Sequence, residues 1–337
     1  MNTKTKMLGL SLLLGVGLLA GCGTIDKGSG SGSSEAGKKV VIGYFPNIDH
    51  APAMVAKEKG YYGKELGKEV KVEYKTFPDG GAFMTALKTG DIDAGLVGPG
   101  PVMNNFTNGA DVKIIAGASS GGTAIVASKK SGIDSVEDFN GKTFITPGVG
   151  CTHDVQMETF LKELGITSAR IGGTMKHVTG NPAQYASMFE SGKVDLAAVP
   201  EPWATQLVKK AGAKVIVDSS QISYGKTLPN TILVTSSKKM DAEKEIIAKI
   251  VKAQQQAIEF IAENPEEAKE ITIKDIKDIT KQELEKDIVD NAWKNLRFTE
   301  EVNKEVIQQF AESSFDLHFL KEKPDFDALI DPQFIKR

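Results

Sequence analysis

The chain has 337 residues, with 41 Lys or Arg, 44 Asp or Glu and a formal net charge of -3. This length can bury one large or two medium hydrophobic cores, and the slightly negative charge excludes the broad basic field of a nucleic-acid-binding protein. The two cysteines, Cys22 and Cys151, lie far apart in the sequence, which excludes a disulfide framework and a CxxC metal pair.

The N-terminus has the pattern of an export signal. Lys4 and Lys6 precede the apolar run MLGLSLLLGVGLLAGC, which is short for a membrane span and ends in small residues. Its last four residues, LAGC, resemble the lipobox of bacterial lipoproteins. This implies a signal peptide over residues 1–21 and a lipidated Cys22; a plain secretion signal with an incidental cysteine is the alternative. The Gly- and Ser-rich residues 22–38 predict a flexible tether, so we expect a lipid-anchored protein on the extracytoplasmic face of the cell membrane.

After the tether, strand-forming and helix-forming segments alternate. KKVVIGYFP predicts a strand that ends at Pro46, and APAMVAKEKG predicts a helix that ends at Gly60. KEVKVEYKTF alternates like a half-buried strand, GAFMTALKTG predicts a short helix, and DAGLVG and DVKIIAGAS predict two further strands. This alternation predicts an α/β fold with mostly parallel sheets.

The sequence contains an internal repeat. KTGDIDAGLVGPGP, residues 88–101, is echoed by ESGKVDLAAVPEP, residues 190–202. GYFPNIDHAP and FITPGVGCTHD correspond as well, because both give a strand, a proline loop and a histidine at a helix start. The chain therefore predicts two similar α/β lobes. Since ligands bind at the carboxyl edge of such sheets, the two edges would face each other across a cleft.

The order of these motifs carries a family resemblance. An export signal followed by IGYFPNIDHAPAMVAKEKGYY, ALKTGDIDAGLVGPGP, a Gly-rich helix start and VPEPWAT resembles the substrate-binding lipoproteins of bacterial ABC importers. The most similar group binds nitrate, sulfonates, taurine and thiamine precursors. The resemblance implies a two-lobed, periplasmic-binding-protein-like fold of type II with a ligand cleft. It places crossovers near residues 127–130 and 228–231, so that 39–127 plus 231–337 form lobe I and 128–230 form lobe II.

The resemblance also implies a function. It predicts a monomeric capture protein, not an enzyme, that closes on a small anionic or zwitterionic ligand and delivers it to an ABC transporter permease. Our main hypothesis is a small sulfonate or a related oxyanion. The alternative ligand is a thiamine-precursor pyrimidine or another heteroaromatic, which would stack on Tyr44, Phe45 or Trp203.

The stretch TPGVGCTHDVQ predicts a glycine turn followed by the start of a helix. A helix start presents unpaired N–H groups and the positive end of the helix dipole, so the segment from Gly150 to His153 is a candidate anion site. The Thr152 hydroxyl and a ring N–H of His153 add donors. The resembling proteins usually carry small hydroxyl residues in this loop, and Cys151 takes the place of one of them.

The same loop permits two sharper hypotheses. A catalytic Cys151–His153 pair requires side chains that face each other, whereas residues two apart on a helix point away from each other. Because a helix N-terminus lowers the pKa of a thiol, an extracellular cysteine-dependent enzyme remains the alternative from another class. A metal site would require His50, His153 and His177 to converge without the tight spacing of zinc sites, and we predict no metal and no cofactor.

Further candidate contacts lie in the proline loops. Asn47 and His50 follow the first predicted strand, and in the alternative interpretation Asp49 between them caps a helix. Pro99 and Gly100, in VGPGP, would give a small ligand close access to the backbone.

The second proline loop and the return crossover supply the remaining candidates. Glu201 could accept hydrogen bonds from a ligand amine or pair with a lysine, and Trp203 could wall the cleft or lie in the core. Asn230 could contact the ligand or pack at the hinge.

Overall fold

The structure is a computed structural model that describes residues 38–331, 333 and 334. The predicted signal peptide, the lipidation site Cys22 and all but the last residue of the predicted tether lie outside the described residues. None of the described helices combines the length and the hydrophobicity that a bilayer-spanning segment requires.

Strands and helices alternate along the chain as the sequence predicted. The strands are β1 (Lys39–Tyr44), β2 (Lys71–Thr76), β3 (Ala94–Val97), β4 (Lys113–Gly121), β5 (Thr123–Ala127), β6 (Thr143–Thr146), β7 (Lys176–Thr179), β8 (Leu196–Pro200), β9 (Lys214–Val217), β10 (Thr231–Thr235) and β11 (Leu296–Phe298). The helices are α1 (Ala51–Glu58), α2 (Tyr61–Leu66), α3 (Gly80–Thr89), α4 (Pro99–Thr107), α5 (Thr152–Glu163), α6 (Tyr185–Glu190), α7 (Trp203–Ala211), α8 (Ser237–Ala242), α9 (Lys244–Glu263), α10 (Pro265–Thr280), α11 (Lys286–Trp293), α12 (Lys304–Asp316) and α13 (Phe326–Leu329).

The strands form two separate sheets, one in each lobe. The first sheet has six strands in the order β11-β4-β10-β3-β1-β2, and the second has five in the order β7-β6-β8-β5-β9. The central strands β1, β3, β8 and β10 are buried along nearly their whole length, which is typical of sheets covered by helices on both faces. The fold is the two-lobed α/β architecture that the sequence predicted.

Both sheets are mixed: most strands of each sheet run in one direction, as predicted, but β10 and β11 in the first sheet and β5 in the second run against them. β1 is parallel to β2 and β3, and β6 is parallel to β7 and β8. β10 is antiparallel to both of its neighbours, and so is β5. The physical reason lies in the crossovers: a strand that arrives from the other lobe enters its sheet at the edge facing that lobe, where β1 and β3 end.

The first crossover is a pair of glycines. β4 ends at Gly121 and β5 begins at Thr123 in the other sheet, and both Gly121 and Gly122 have φ of +81°, which side chains rarely allow. The sequence predicted this crossover at residues 127–130, one strand too late. The chain returns to the first sheet between Val217 and Thr231, a segment that includes the predicted 228–231.

The C-terminal helices join the two lobes. α9 packs against α1 and α2 of the first lobe, whereas α11 packs against α7 of the second. The buried Tyr44 hydroxyl donates to Asp275 on α10 over 2.7 Å, and Lys57 on α1 forms an ion pair with the same carboxylate. The apolar core is correspondingly continuous, since Tyr44 and Ile250 belong to the same buried cluster as Val199 and Trp203.

Candidate functional site

A cavity of about 70 Å³ lies between the two lobes. At about 10–15 Å³ for each enclosed water, it has room for about five to seven water-sized groups. Most of its walls are the loops that follow the carboxyl ends of β1, β2, β3, β6 and β7, which is where ligands bind in open α/β sheets. The lining residues are Phe45, Pro46, Asn47, Asp49, His50, Phe77, Pro78, Asp79, Gly80, Val97, Gly98, Pro101, Pro147, Cys151, Thr152, His153, Asn181, Pro182 and Asn230.

Helix α5 begins at the cavity, as the sequence predicted. Cys151 is its N-cap, and the preceding Gly150 has φ of +68°, which allows the tight turn into the helix. However, the Gly150 N–H donates to Asp154 Oδ2 over 2.8 Å, and the Cys151 N–H donates to the Gly148 carbonyl over 3.1 Å. Two of the four amides assigned to the anion site are therefore already bonded. The amides of Thr152 and His153 precede the helical hydrogen-bond ladder and remain the candidates.

Thr152 also joins the two lobes. Its Oγ1 accepts a hydrogen bond from the Gly100 N–H over 3.2 Å, which leaves its own hydroxyl hydrogen to donate. A Cβ atom at Gly98 would lie 2.2 Å from Thr152 Oγ1, and one at Gly100 would lie 2.7 Å from the Gly150 carbonyl oxygen. Only glycine therefore permits this approach of α4 to α5. Gly100 serves the contact between lobes, and neither it nor Pro99 lines the cavity.

Two buried histidines face the cavity from opposite lobes. No described residue is hydrogen-bonded to His50 Nδ1 or to His153 Nε2. Burial lowers the pKa of His50 to about 3, with His153 contributing, and burial lowers the pKa of His153 to about 4. Both rings are therefore neutral near pH 7, and each carries one N–H donor and one acceptor nitrogen.

Asp49 lines the cavity, although the sequence offered it only as a helix cap. It lies within a short 3-10 turn, Ile48–His50, and caps no helix. Its Oδ2 accepts from the Thr231 hydroxyl over 3.0 Å, whereas Oδ1 is buried without a partner in the described part of the chain. Burial raises the pKa of Asp49 to about 7, and its hydrogen bond with Thr231 opposes that rise. An Asp in the loop after a buried strand was the available signal.

Asn230 lies both at the hinge and in the cavity lining. Its Nδ2 donates to the Gly121 carbonyl over 2.6 Å and to Thr123 Oγ1 over 2.8 Å, which ties it to the first crossover. Its Oδ1 is buried, has no partner among the residues described, and belongs to a residue that lines the cavity.

An aromatic wall completes the cavity. The ring centroid of Phe45 lies 5.1 Å from that of His50 and 6.2 Å from that of Phe77. Phe77 lies in the loop after β2, which the sequence analysis did not consider, although a proline loop in a corresponding position is visible there. Tyr44 points elsewhere, toward Asp275, and does not line the cavity.

Glu201 and Trp203 lie outside the cavity lining. The Glu201 carboxylate accepts from the Thr205 N–H over 3.1 Å and from Asn295 Nδ2 over 2.8 Å, so it bonds the first turn of α7 and the neighbouring C-terminal segment. Trp203 is buried in the core, and its Nε1 donates to Asn47 Oδ1 over 2.7 Å. Asn47 lines the cavity, but its side-chain oxygen Oδ1 already accepts this hydrogen bond from Trp203.

The thiol of Cys151 is not activated. Burial and the nearby Asp154 carboxyl raise the pKa of Cys151 to about 12, so the thiol is protonated near neutral pH. The thiolate that a cysteine nucleophile requires is therefore disfavoured at this helix N-terminus.

The three histidines considered for a metal do not converge. The His177 Nε2 is 2.7 Å from Thr146 Oγ1 and 3.4 Å from Asp154 Oδ1 on α5. The His177 ring stacks on Phe144. His177 does not line the cavity that His50 and His153 share. Ligand atoms of His177, Asp154 and Glu158 lie within 4.8 Å of one another, but Glu158 forms an ion pair with Arg170 at 2.7 Å.

The chain shares sequence similarity with a protein family and with named proteins of other bacteria. Residues 33–274 match the model of the NMT1-like family. A protein of Bacillus subtilis, provisionally named an aliphatic sulfonates-binding protein, is 28% identical over 331 residues, which cover 95% of this chain and 93% of that protein. The taurine-binding periplasmic protein of Escherichia coli is 28% identical over 183 residues, which cover 54% of either chain. Both relatives are named as binding proteins.

Solved structures share the fold. The alkanesulfonate-binding protein SsuA from Xanthomonas axonopodis pv. citri, bound to MOPS, gives a TM-score of 0.73 at 19% identity and covers 87% of this chain and 98% of that one. The periplasmic nitrate-binding protein NrtA from Synechocystis gives a TM-score of 0.74 at 19% identity, with 87% and 86% covered. The likeness establishes a periplasmic-binding-protein fold.

The titration of Asp49 yields a prediction about stability. Its folded pKa of about 7 lies above the ordinary value of 3.8, so the unfolded chain loses this proton first as pH rises. Each pH unit between about 4 and 7 then costs the fold up to about 1.4 kcal/mol, and the cost levels off above pH 7. We expect Asp49→Asn to raise the free energy of unfolding near pH 8 and to lose that advantage toward pH 4.

Denaturant unfolding of both proteins across this range would check the prediction. If the free energies of unfolding of the wild type and of Asp49→Asn differ by the same amount at every pH, Asp49 does not titrate between pH 4 and pH 8.

Proposed function

The chain belongs to the NMT1-like family, and from that premise we propose that it is the extracytoplasmic substrate-binding protein of an ABC importer. The observation that carries the proposal is the cavity between the lobes, with buried polar atoms on both sides that have no partner among the described residues. Buried polar groups are nearly always hydrogen-bonded, so these atoms are suited to a ligand. The LAGC motif supports a lipid anchor at Cys22, and the protein acts as a monomer with a membrane permease as its partner.

The proposed ligand is a small sulfonate or a related oxyanion. Supporting groups converge at the start of α5: the Thr152 hydroxyl, the amides of Thr152 and His153, and the His153 ring. None of the described residues that line the cavity is Lys or Arg. An anion would therefore be held by neutral donors and the helix dipole, as helix N-termini hold phosphate and sulfate. The names of the relatives, which include sulfonates, taurine and nitrate, support the same ligand class.

Closure of the lobes is the proposed response to binding. The lobes are already in contact, since the Gly100 N–H donates to Thr152 and the Arg170 guanidinium lies 3.8 Å from the Phe319 ring centroid. A ligand between the lobes adds contacts that exist only when both walls are close, so it favours the closed state. The permease would recognise that state.

A heteroaromatic ligand is the second candidate because of the aromatic wall. The rings of Phe45, Phe77 and His50 present apolar faces on one side of the cavity, where a pyrimidine could stack. A cysteine-dependent enzyme lacks comparable support, since the Cys151 thiol is protonated at neutral pH.

The head-group contact can be tested at Thr152. We expect Thr152→Ala to weaken binding of a sulfonate by about 10- to 100-fold, because it removes a hydrogen bond to a charged group worth about 1.5–3 kcal/mol. Thr152→Ser keeps the hydroxyl and should bind nearly as well as the wild type. Isothermal titration of the mature chain with taurine, propanesulfonate and nitrate would measure these affinities.

Two controls separate the alternatives. Cys151→Ser should retain sulfonate binding. Loss of sulfonate binding in Cys151→Ser, together with unaltered binding in Thr152→Ala, would contradict the proposed head-group site. A panel in which only a pyrimidine raises the melting temperature would favour the heteroaromatic ligand; a ligand at a hundredfold its Kd adds about 2.7 kcal/mol to stability.

The contact between α4 and α5 can be tested at Gly100. Its Cβ would lie 2.7 Å from the Gly150 carbonyl oxygen, so Gly100→Ala should hold the lobes apart and weaken ligand binding by about tenfold or more. Gly63→Ala is a matched control, because nothing lies within 4 Å of that Cβ position. Ligand affinity of Gly100→Ala equal to that of the control would contradict a role for this contact in closure.

A further inference from the structure

The proposed function leaves two acceptor oxygens of the cavity unexplained. An oxyanion offers acceptors only, and it cannot satisfy Asn230 Oδ1 or the Oδ1 of an ionised Asp49, which are both buried and unpartnered among the described residues. Resting on the proposed function, we propose that Asp49 and Asn230 form an acceptor subsite that selects ligands with an N–H donor opposite the oxyanion. The chemical class is a short zwitterionic aminosulfonate.

The two residues are neighbours in the structure. Thr231, which follows Asn230 in the chain, donates its hydroxyl to Asp49 Oδ2 over 3.0 Å. The Asp49 carbonyl oxygen in turn accepts from the Ser119 hydroxyl over 2.9 Å, which fixes the turn against β4. Asp49 on the first lobe is thus linked through Thr231 to Asn230 at the hinge, and both Asp49 and Asn230 line the cavity.

The orientation of the Asn230 amide is determined by its hydrogen bonds. Both hydrogens of Nδ2 are directed to acceptors, the Gly121 carbonyl and Thr123 Oγ1. A flipped amide would place Oδ1 against the Gly121 carbonyl, two acceptors facing each other. Oδ1 is thus held as a buried, unpartnered acceptor on a residue that lines the cavity.

The Asp49 carboxyl lacks a cationic partner. Burial dominates its shift, and the opposing causes are the Thr231 hydroxyl and the backbone, with no charged group among them. The titratable groups that share the cavity are His50, His153, Cys151 and Asp79. His50 Nε2 lies 3.8 Å from Asp49 Oδ2, too far for a hydrogen bond, and that ring is neutral. A ligand ammonium would supply the missing positive charge.

Charged residues on α1 and α11, the helices that pack against the Ile48–His50 turn, form ion pairs with other residues. On α1, Lys57 pairs with Asp275, and on α11, Lys286 pairs with Asp290 at 3.1 Å. On the same helix, Asp287 pairs with Lys209 at 2.5 Å.

The cavity is therefore polarised. Donors lie at the start of α5 on the second lobe, where the Thr152 hydroxyl and the His153 ring face the ligand. Acceptors lie at Asp49 and Asn230. A molecule of about seven non-hydrogen atoms with a sulfonate at one end and an ammonium at the other matches both the polarity and a volume of about 70 Å³.

The test compares taurine with propanesulfonate, its isostere in which a methyl group replaces the ammonium. Taurine requires the ionised carboxylate, whereas propanesulfonate binds best when Asp49 is protonated. The ratio of the two affinities cancels any proton uptake by the histidines that both sulfonates share. We expect wild-type protein to favour taurine above pH 7, and the ratio to fall by roughly tenfold for each pH unit below pH 7.

Two variants make the measurement specific. Asp49→Asn should lower the taurine-to-propanesulfonate ratio at pH 8 by tenfold or more and abolish its pH dependence, while propanesulfonate itself still binds. Asp325→Asn is the matched control, since Asp325 lies outside the cavity lining and its Oδ1 accepts from the Asp327 and Ala328 N–H groups as an N-cap, a role that Asn can fill. It should leave the ratio and its pH profile unchanged.

The outcomes distinguish this inference from the proposed function. Equal, pH-independent affinities for taurine and propanesulfonate in wild type and in Asp49→Asn would overturn the acceptor subsite and leave the sulfonate site intact. Binding of 4-aminopyrimidine alone, lost in Asp49→Asn, would keep the acceptor subsite and overturn the oxyanion site. Binding of none of the three probes would overturn both.

Discussion

The hydrogen bond from the Gly100 N–H to the Thr152 hydroxyl is the contact on which the functional cavity depends. It brings the N-terminus of α4 against the N-terminus of α5, and it forms only because Gly98 and Gly100 carry no side chain. The N-terminus of α5 presents its positive dipole end to this buried space, whereas α4 begins with Pro-Gly-Pro and its Gly100 N–H is already bonded. The glycines therefore set the distance between the lobes, and through it the size of the cavity and the place of its donors.

The buried polar groups that make the cavity suitable for a ligand destabilise the folded protein when no ligand is bound. Buried polar atoms without partners lose the hydrogen bonds they make to water in the unfolded chain, and the Asp49 carboxyl must ionise in a buried place as pH rises. The structure offsets this cost elsewhere, with a continuous apolar core and the Tyr44–Asp275–Lys57 network that fastens α10 to the first lobe. Stability and binding are thus assigned to different parts of the fold.

Local sequence patterns predicted most of the architecture, and they failed where distant segments meet. Short motifs predicted the alternation of strands and helices, the two lobes and the start of α5. They also predicted that His50, His153 and Asn230 lie at the cavity. The crossover at Gly121 and Gly122 was missed because a glycine pair between two apolar strands looks like an ordinary turn. Glu201 was misplaced because its partners, Thr205 and Asn295, lie four and 94 residues away along the chain.

The sequence by itself determined the α/β class, the repeat of two lobes and the helix N-terminus that faces the cleft, because each is set by periodicity or by the conformational limits of Gly and Pro. Only the tertiary structure decided which polar side chains are satisfied. Asp49 and Glu201 are both acidic residues in loops after buried strands, yet one keeps a free oxygen at the cavity and the other is fully engaged in bonds. Hydrogen bonds between segments far apart in the chain make that difference, and no local pattern records them.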